Sequence, residues 1–343
     1  MRKIIALIFS CLLFMCSCSS DFIIYKNQEI INMNFNNITN YCNFWMTTNS
    51  ICYLEDSLVQ TYFMVEKNSK TKIGVNNGYG FGMIQKYEEK IYMLDESDNI
   101  DEHNSMFQLK CYDINDKKLE EICSLKNCDN FLVLDESIYY LEYTWINDFR
   151  KLALKRFSLD FKEHFTIEDD VVSFGVIDNC LYYITEKNNK MIVLKYDIEN
   201  KGSIKCGEFS IEGFDVKEIN TLRASYTPSN IFFSWINYEN ETSMIANYSF
   251  EQNVLSIKNV EGYIDGFVSY NFHSYFIVSS EKSKNSELYM LNNKTEEITK
   301  ITEIHGEGSL FVGSDEGVYV LKNEDSKLMF YSNEGNTQVV YEF

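Results

Sequence analysis

Proline occurs once in these 343 residues, histidine four times, and 31 cationic residues face 51 acidic ones. Each shortage excludes something. A formal net charge of −20 leaves no basic surface to neutralise phosphates, which argues against nucleic acid as a partner. His103, His164, His273 and His305 form no H-x-x-x-H or H-x-H pair, so no zinc site is expected. G-x-S-x-G and P-loop motifs are absent. The glycine-rich "NNGYGFG" at 76–82 leads into strand-like sequence rather than a helix, so it is no phosphate cradle. No stretch has a sustained amphipathic helix period. Neither a cofactor nor a metal is expected from these residues.

What is present points to strands. Hydrophobic residues make up 45% of the chain and aromatic ones 15%, too much apolar surface for a disordered segment. With 24 tyrosines and 25 phenylalanines beside abundant Ile and Val, composition leans toward β-structure. The acidic balance suits solubility, or attraction of cations and basic partners.

The N-terminus carries Arg2 and Lys3, then an apolar run from Ile4 to Met15. At about twelve residues it is short of the roughly 20 that cross a bilayer, and it fits a signal-peptide core. Met15-Cys16-Ser17-Cys18-Ser19-Ser20 follows, and it resembles the lipobox of bacterial lipoproteins. Small Ser17 precedes Cys18, whereas bulky Met15 precedes Cys16, so Cys18 is the expected lipidation site. That resemblance implies a leader over 1–17, a tether over 18–39, and an extracytoplasmic domain held at the cell membrane by acyl chains. Removing Arg2 and Lys3 with the leader leaves 29 cations against 51 acids, a net charge of −22. Seven cysteines follow Cys18: Cys42, Cys52, Cys111, Cys123, Cys128, Cys180 and Cys206. The odd count in a large domain argues against a disulfide framework. Cys123 and Cys128 could pair across "CSLKNC"; the others read as small buried hydrophobes.

A longer-range pattern sets the fold. An apolar, aromatic-rich tetrapeptide recurs as "ICYL" (Ile51), "IYML" (Ile91), "IYYL" (Ile138), "LYYI" (Leu181), "IFFS" (Ile231), "YFIV" (Tyr275) and "VYVL" (Val318). The spacings are 40, 47, 43, 50, 44 and 43 residues. Periods of about 40–50 residues mark propeller blades among the repeat architectures. Phe44, Phe131, Phe174 and Phe311 lie seven residues before their motif, Phe81 ten and Phe267 eight. Between these apolar runs stand turn formers: "TTNS", "LDES", "IDNC", "TPSN" and "SDEG". Strand, tight turn and strand make a hairpin. Further strand-like runs follow each motif, so a unit holds about four strands. The expectation is an all-β, seven-bladed β-propeller of four-stranded antiparallel blades over 40–343. A β-sandwich would not explain seven recurrences of one hairpin, and a solenoid wants a shorter rung. Residues 22–35 lie outside the count and could add an outer strand to the last blade, closing the ring.

In pattern the chain resembles propeller-bearing lipoproteins of Gram-positive bacteria, related to the YWTD-type and quinone-type repeat propellers. It has no "YWTD", no "GH…WD" pair and no quinone-type "GxxxW" signature, so no activity is carried over. Two loops between second and third strands share a tripeptide, Trp145-Ile146-Asn147 and Trp235-Ile236-Asn237. Exposed tryptophans there would stack on sugar rings or anchor a peptide; otherwise they pack into blade edges. Trp145 and Trp235 are therefore the candidate binding residues. The acidic stretch "DESDNIDEHN" (95–104) invites a calcium reading, but it lacks the spacing of a calcium loop. The function expected is a membrane-anchored binding or protein-interaction platform for a protein or carbohydrate ligand. The alternatives are an enzyme acting on glycan or peptide at the channel mouth, and a sensor subunit of a membrane complex.

Overall fold

The computed structural model describes residues 44–46, 50–55, 61–66, 69–75, 83–101, 104–146, 149–160, 162–188, 190–210, 223–237, 241–279, 285–305, 308–322 and 327–342. These hold 28 strands in seven antiparallel sheets of four. Each sheet is built from four consecutive strands, giving blade 1 (44–75), blade 2 (83–126), blade 3 (128–168), blade 4 (171–209), blade 5 (223–261), blade 6 (263–305) and blade 7 (308–342). First strands touch in succession through blades 1 to 3 and blades 4 to 7, and the third strand of blade 3 bridges to the first of blade 4. First strands therefore line the axis and fourth strands form the rim. The fold is the expected seven-bladed β-propeller. The leader, Cys18, Cys42 and the ring-closing segment 22–35 lie outside the described residues. The fourth place in blade 7 is taken by Thr337–Glu342.

The recurrent tetrapeptide is the second strand of every blade. The seven-residue interval has a simple cause. In an antiparallel hairpin with a two-residue turn it makes the phenylalanine the cross-strand partner of the motif's third residue. The Cα partners are Phe44 and Tyr53, Phe131 and Tyr140, Phe174 and Tyr183, and Phe267 and Phe276. Register corrects the reading in two places. In blade 6, Tyr270 pairs with His273, so the aligned motif start is Ser274 rather than Tyr275, and Phe267 then stands seven residues before it. In blade 7 a bulge separates Leu310 from Val312, leaving Phe311 without a ladder partner. The turns "LDES" and "IDNC" place both central residues in the left-handed region, Asp135 and Glu136 at 47° and 54°, Asp178 and Asn179 at 48° and 59°. That is the turn whose twist matches a two-residue hairpin.

Among the described residues neighbouring blades share no ladder, and side chains join them. Gln85 in blade 2 donates from Nε2 to the Val133 carbonyl (3.1 Å) and accepts the Val133 N–H (2.8 Å). Ser225 Oγ of blade 5 accepts the Ser269 N–H of blade 6 (2.8 Å). Tyr275 of blade 6 donates its hydroxyl to the Ser314 carbonyl of blade 7 (2.7 Å). Between blades 4 and 5, tyrosine rings lie against glycine backbones. A Cβ at Gly175 would meet Tyr226 Cδ2 at 2.3 Å, and one at Gly207 would meet the Tyr248 hydroxyl oxygen at 1.8 Å. Aromatic burial at the blade gaps thus requires glycine where the rings press closest.

Candidate functional site

Second strands end on the face that carries the loops to third strands, and Trp145 and Trp235 stand near those ends. They are not equivalent. Trp145 lies seven residues after Ile138, and Trp235 four after Ile231. Strand side chains alternate, so an odd and an even offset place them on opposite sides of their blades. Trp235 is only 2% exposed and packs with Phe233, Tyr226 and Val172 between blades 4 and 5. The expectation that Trp235 offers an exposed ring fails here, because only four residues into its strand it still lies inside the gap between blades 4 and 5. Trp145 is 37% exposed and Ile146 is 47% exposed.

Around Trp145 the third strand of blade 3 (Phe149–Ser158) supplies Arg150, its cross-strand partner. The Arg150 guanidinium lies 4.3 Å from the centroid of the Tyr143 ring and pairs with Asp129 near the start of the blade's first strand. Arg150 and Asp129 are both largely sheltered, so the planar cation is held in place on the side of the blade that carries the exposed indole. Tyr143, Trp145 and Arg150 occupy one side of blade 3, forming a cation-backed aromatic edge.

The other end of the same blade gap opens into a cleft of about 370 Å³ lined by Arg156, Phe165, Thr166, Ile167, Glu168, Tyr196, Lys201, Gly202 and Ser203. Arg156 sits opposite both Tyr139 and Phe165 in register, which puts all three on the side facing blade 4. Its Nε donates to Ser137 Oγ (2.9 Å), and its guanidinium lies 6.0 Å from the Tyr139 centroid. Burial pushes the Tyr139 hydroxyl up to about 12, with the Arg156 charge pulling the other way. From blade 4, Tyr196 meets Tyr139 edge-on at 6.3 Å. Asp197 Oδ1 accepts the N–H groups of Glu199 (3.1 Å) and Asn200 (3.0 Å), closing the turn that holds Lys201 at a φ of 52°. The same aspartate or asparagine device, with a left-handed residue four places on, recurs at Asp113 and Lys117 and at Asn292 and Glu296. Glu168 is engaged by Lys187 at 3.1 Å. Nothing in the sequence singled out Arg156, Phe165, Tyr196 or Lys201, because they come from two blades and meet only across the gap.

Asp95, the first acid of the calcium-like stretch, is 2% exposed and already committed. It accepts the Tyr62 hydroxyl (2.7 Å) and pairs with Lys110 Nζ (2.6 Å), joining blade 1 to blade 2. Most of the stretch is strand, in Lys90–Asp101 and Asn104–Asp113, and His103 lies outside the described residues. Among the described residues no three His, Cys, Asp or Glu side chains assemble as a metal site. None of the six described cysteines, Cys52, Cys111, Cys123, Cys128, Cys180 and Cys206, is in a disulfide, so Cys123 and Cys128 are not bridged. Burial pushes the Cys123 thiol up to about 12 and that of Cys111 up to about 11, which keeps both protonated.

No protein-family model matches the chain, and no curated protein matches it in sequence. Solved structures do. The chain is similar to the Pyrococcus horikoshii acylaminoacyl peptidase at 13% identity and a TM-score of 0.56, over 88% of this chain and 52% of that one. It thus spans about half the length of that peptidase. It is also similar to the β-propeller domain of the Trilobed protease from Pyrococcus furiosus, which has an open velcro topology. There the identity is 13% and the TM-score 0.55, over 86% of this chain and 94% of that domain. At such identities the likeness is one of fold.

Proposed function

We propose that this is an extracytoplasmic lipoprotein, cleaved before Cys18 and lipidated there, whose propeller serves as a binding platform for a protein or carbohydrate. The anchoring half rests on the short apolar run and the Ser17-Cys18 pair. The observation that carries the binding half is the cation-backed aromatic edge of blade 3, where Tyr143 and Asp129 fix Arg150 on the side of the blade that carries exposed Trp145. Pre-ordered aromatic and arginine groups are what interface anchors are made of, because little side-chain freedom is lost when a partner docks.

Two measurements test the halves separately. Cells expressing the full chain should carry it in the membrane fraction with incorporated labelled palmitate, and Cys18→Ala should abolish both. A Cys18→Ala protein that still takes up palmitate at the membrane ends the anchoring half. On glycan and peptide arrays, Trp145→Ala should weaken whatever the wild type binds by about tenfold or more, as for an interface anchor. Undiminished binding by Trp145→Ala refutes the platform at this edge, and turnover of an array ligand would make the protein an enzyme instead.

A further inference from the structure

The cleft between blades 3 and 4 has a charge pattern that the rest of the molecule does not explain. In a chain of net charge −20, two cations converge on one concavity. Among the described residues neither Arg156 nor Lys201 has a carboxylate within ion-pair distance, whereas Lys110, Arg150, Lys155, Lys187 and Lys300 each do. The one acid in the lining, Glu168, is taken by Lys187.

The donors left over have a definite geometry. A guanidinium offers five N–H groups in a planar fork. Ser137 takes the Nε–H of Arg156, and the ring of Tyr139 covers its plane. What remains is the end-on pair of Nη groups, the edge that meets both oxygens of a carboxylate. Lys201 is lifted to the rim by its Asp197-capped turn, with its ammonium parked 5.6 Å from the Phe165 centroid. Phe165 is 40% exposed, a large ring left open beside two cations, and Ile167 and Tyr196 continue the apolar wall.

We infer that this cleft is a binding site for a small carboxylate carried on a planar ring, its anion held by Arg156 and Lys201 and its ring by Phe165 and Tyr196. The site is independent of the aromatic edge at the opposite end of the blade gap, and of whether the chain is lipidated. The volume, about 370 Å³, suits a ligand of one ring with its substituents. Lysine gives up its contact with Phe165 when the anion arrives, since a charge-assisted bond to a carboxylate outweighs an exposed cation–ring contact.

Titration calorimetry of the purified full-length protein with benzoate, benzamide and inorganic phosphate tests each part. Benzoate should bind saturably, with benzamide and phosphate each roughly tenfold weaker or more, as expected when charge and ring both count. Arg156→Gln and Lys201→Gln should each weaken benzoate by about tenfold, while Lys300→Gln on blade 6 leaves it unchanged. Lys201 is exposed at a turn, so its variant folds as the wild type does even if the loss of Arg156 disturbs Tyr139. The proposal is overturned if benzoate gives no saturable binding, or if benzamide or phosphate binds as tightly. It is equally overturned if Lys201→Gln binds benzoate like the wild type.

Discussion

Gly175→Ala tests directly how the blades fit together. Gly175 lies in the first strand of blade 4, Val171–Ile177, and the Tyr226 ring of blade 5 presses on it. An added Cβ would stand 2.3, 2.8 and 2.8 Å from three atoms of that ring. Tyr226 is 2% exposed and hemmed in by the cluster between blades 4 and 5, so it has nowhere to retreat. Overpacking of this kind costs about 1–3 kcal/mol, and a clash with a confined ring belongs at the upper end. Alanine recovers roughly 0.5–1 kcal/mol of backbone entropy relative to glycine. The net loss is then about 2 kcal/mol. With an m-value of about 3 kcal/mol/M the urea midpoint falls by roughly 0.7 M. Gly202→Ala is the internal control, since its Cβ meets only a carbonyl oxygen at 4.0 Å, and it should move the midpoint little. The decisive measurement is a double-mutant cycle. Tyr226→Ala alone costs about 3–5 kcal/mol through its cavity, but Gly175→Ala added to it should cost nothing or stabilise slightly. If Gly175→Ala costs as much without the tyrosine ring as with it, ring-on-backbone packing is not what holds these blades in register.

Three further outcomes follow from the same contacts. Replacing Asp95 by Ala strands the Lys110 ammonium in a sheltered site and leaves the Tyr62 hydroxyl only its longer bond to the Leu94 carbonyl (3.2 Å), so stability should drop by about 3 kcal/mol; the paired change Asp95→Leu with Lys110→Met should recover most of it, and equal losses for the single and paired variants would contradict this. Trp235→Ala should cost about 3–5 kcal/mol as a core truncation, whereas Trp145→Ala should change stability by less than about 1 kcal/mol; equal losses in urea melts would refute the assignment of one to the core and one to the surface. Burial raises the phenol pKa of Tyr62, Tyr139 and Tyr226 above that of a free tyrosine. Their contribution is complete below pH about 10 and is lost as pH rises from there through the folded-state values, because the unfolded chain sheds those protons first. Absorbance at 295 nm should show them ionising together with alkaline unfolding, and ordinary titration of these phenols in the folded protein would refute the effect.

Blade number and hairpin register were legible in the sequence because both are local. The aromatic tetrapeptide marks the second strand of one hairpin, often with a phenylalanine seven residues before it, and seven copies of the tetrapeptide define seven sheets. Even the misplaced start at Tyr275 was off by a single residue. Phe311 escaped because a bulge breaks the period-two rule on which such counting depends. The tryptophans show where local reading stops. Two identical tripeptides differ in fate, since an offset of four points into a blade gap and an offset of seven reaches its open end.

What lies between blades belongs to tertiary structure alone. Arg156 and Lys201 are brought to one cleft, Asp95 to Tyr62 and Lys110, and Tyr226 to Gly175, by the accumulated twist and packing of whole sheets. No spacing along the chain encodes that sum. The sequence by itself determined a ring of seven four-stranded blades, since hairpins are specified by neighbours in the chain. Only the folded ring decided which charges stayed without partners and which rings stayed open, since those are settled by neighbours in space.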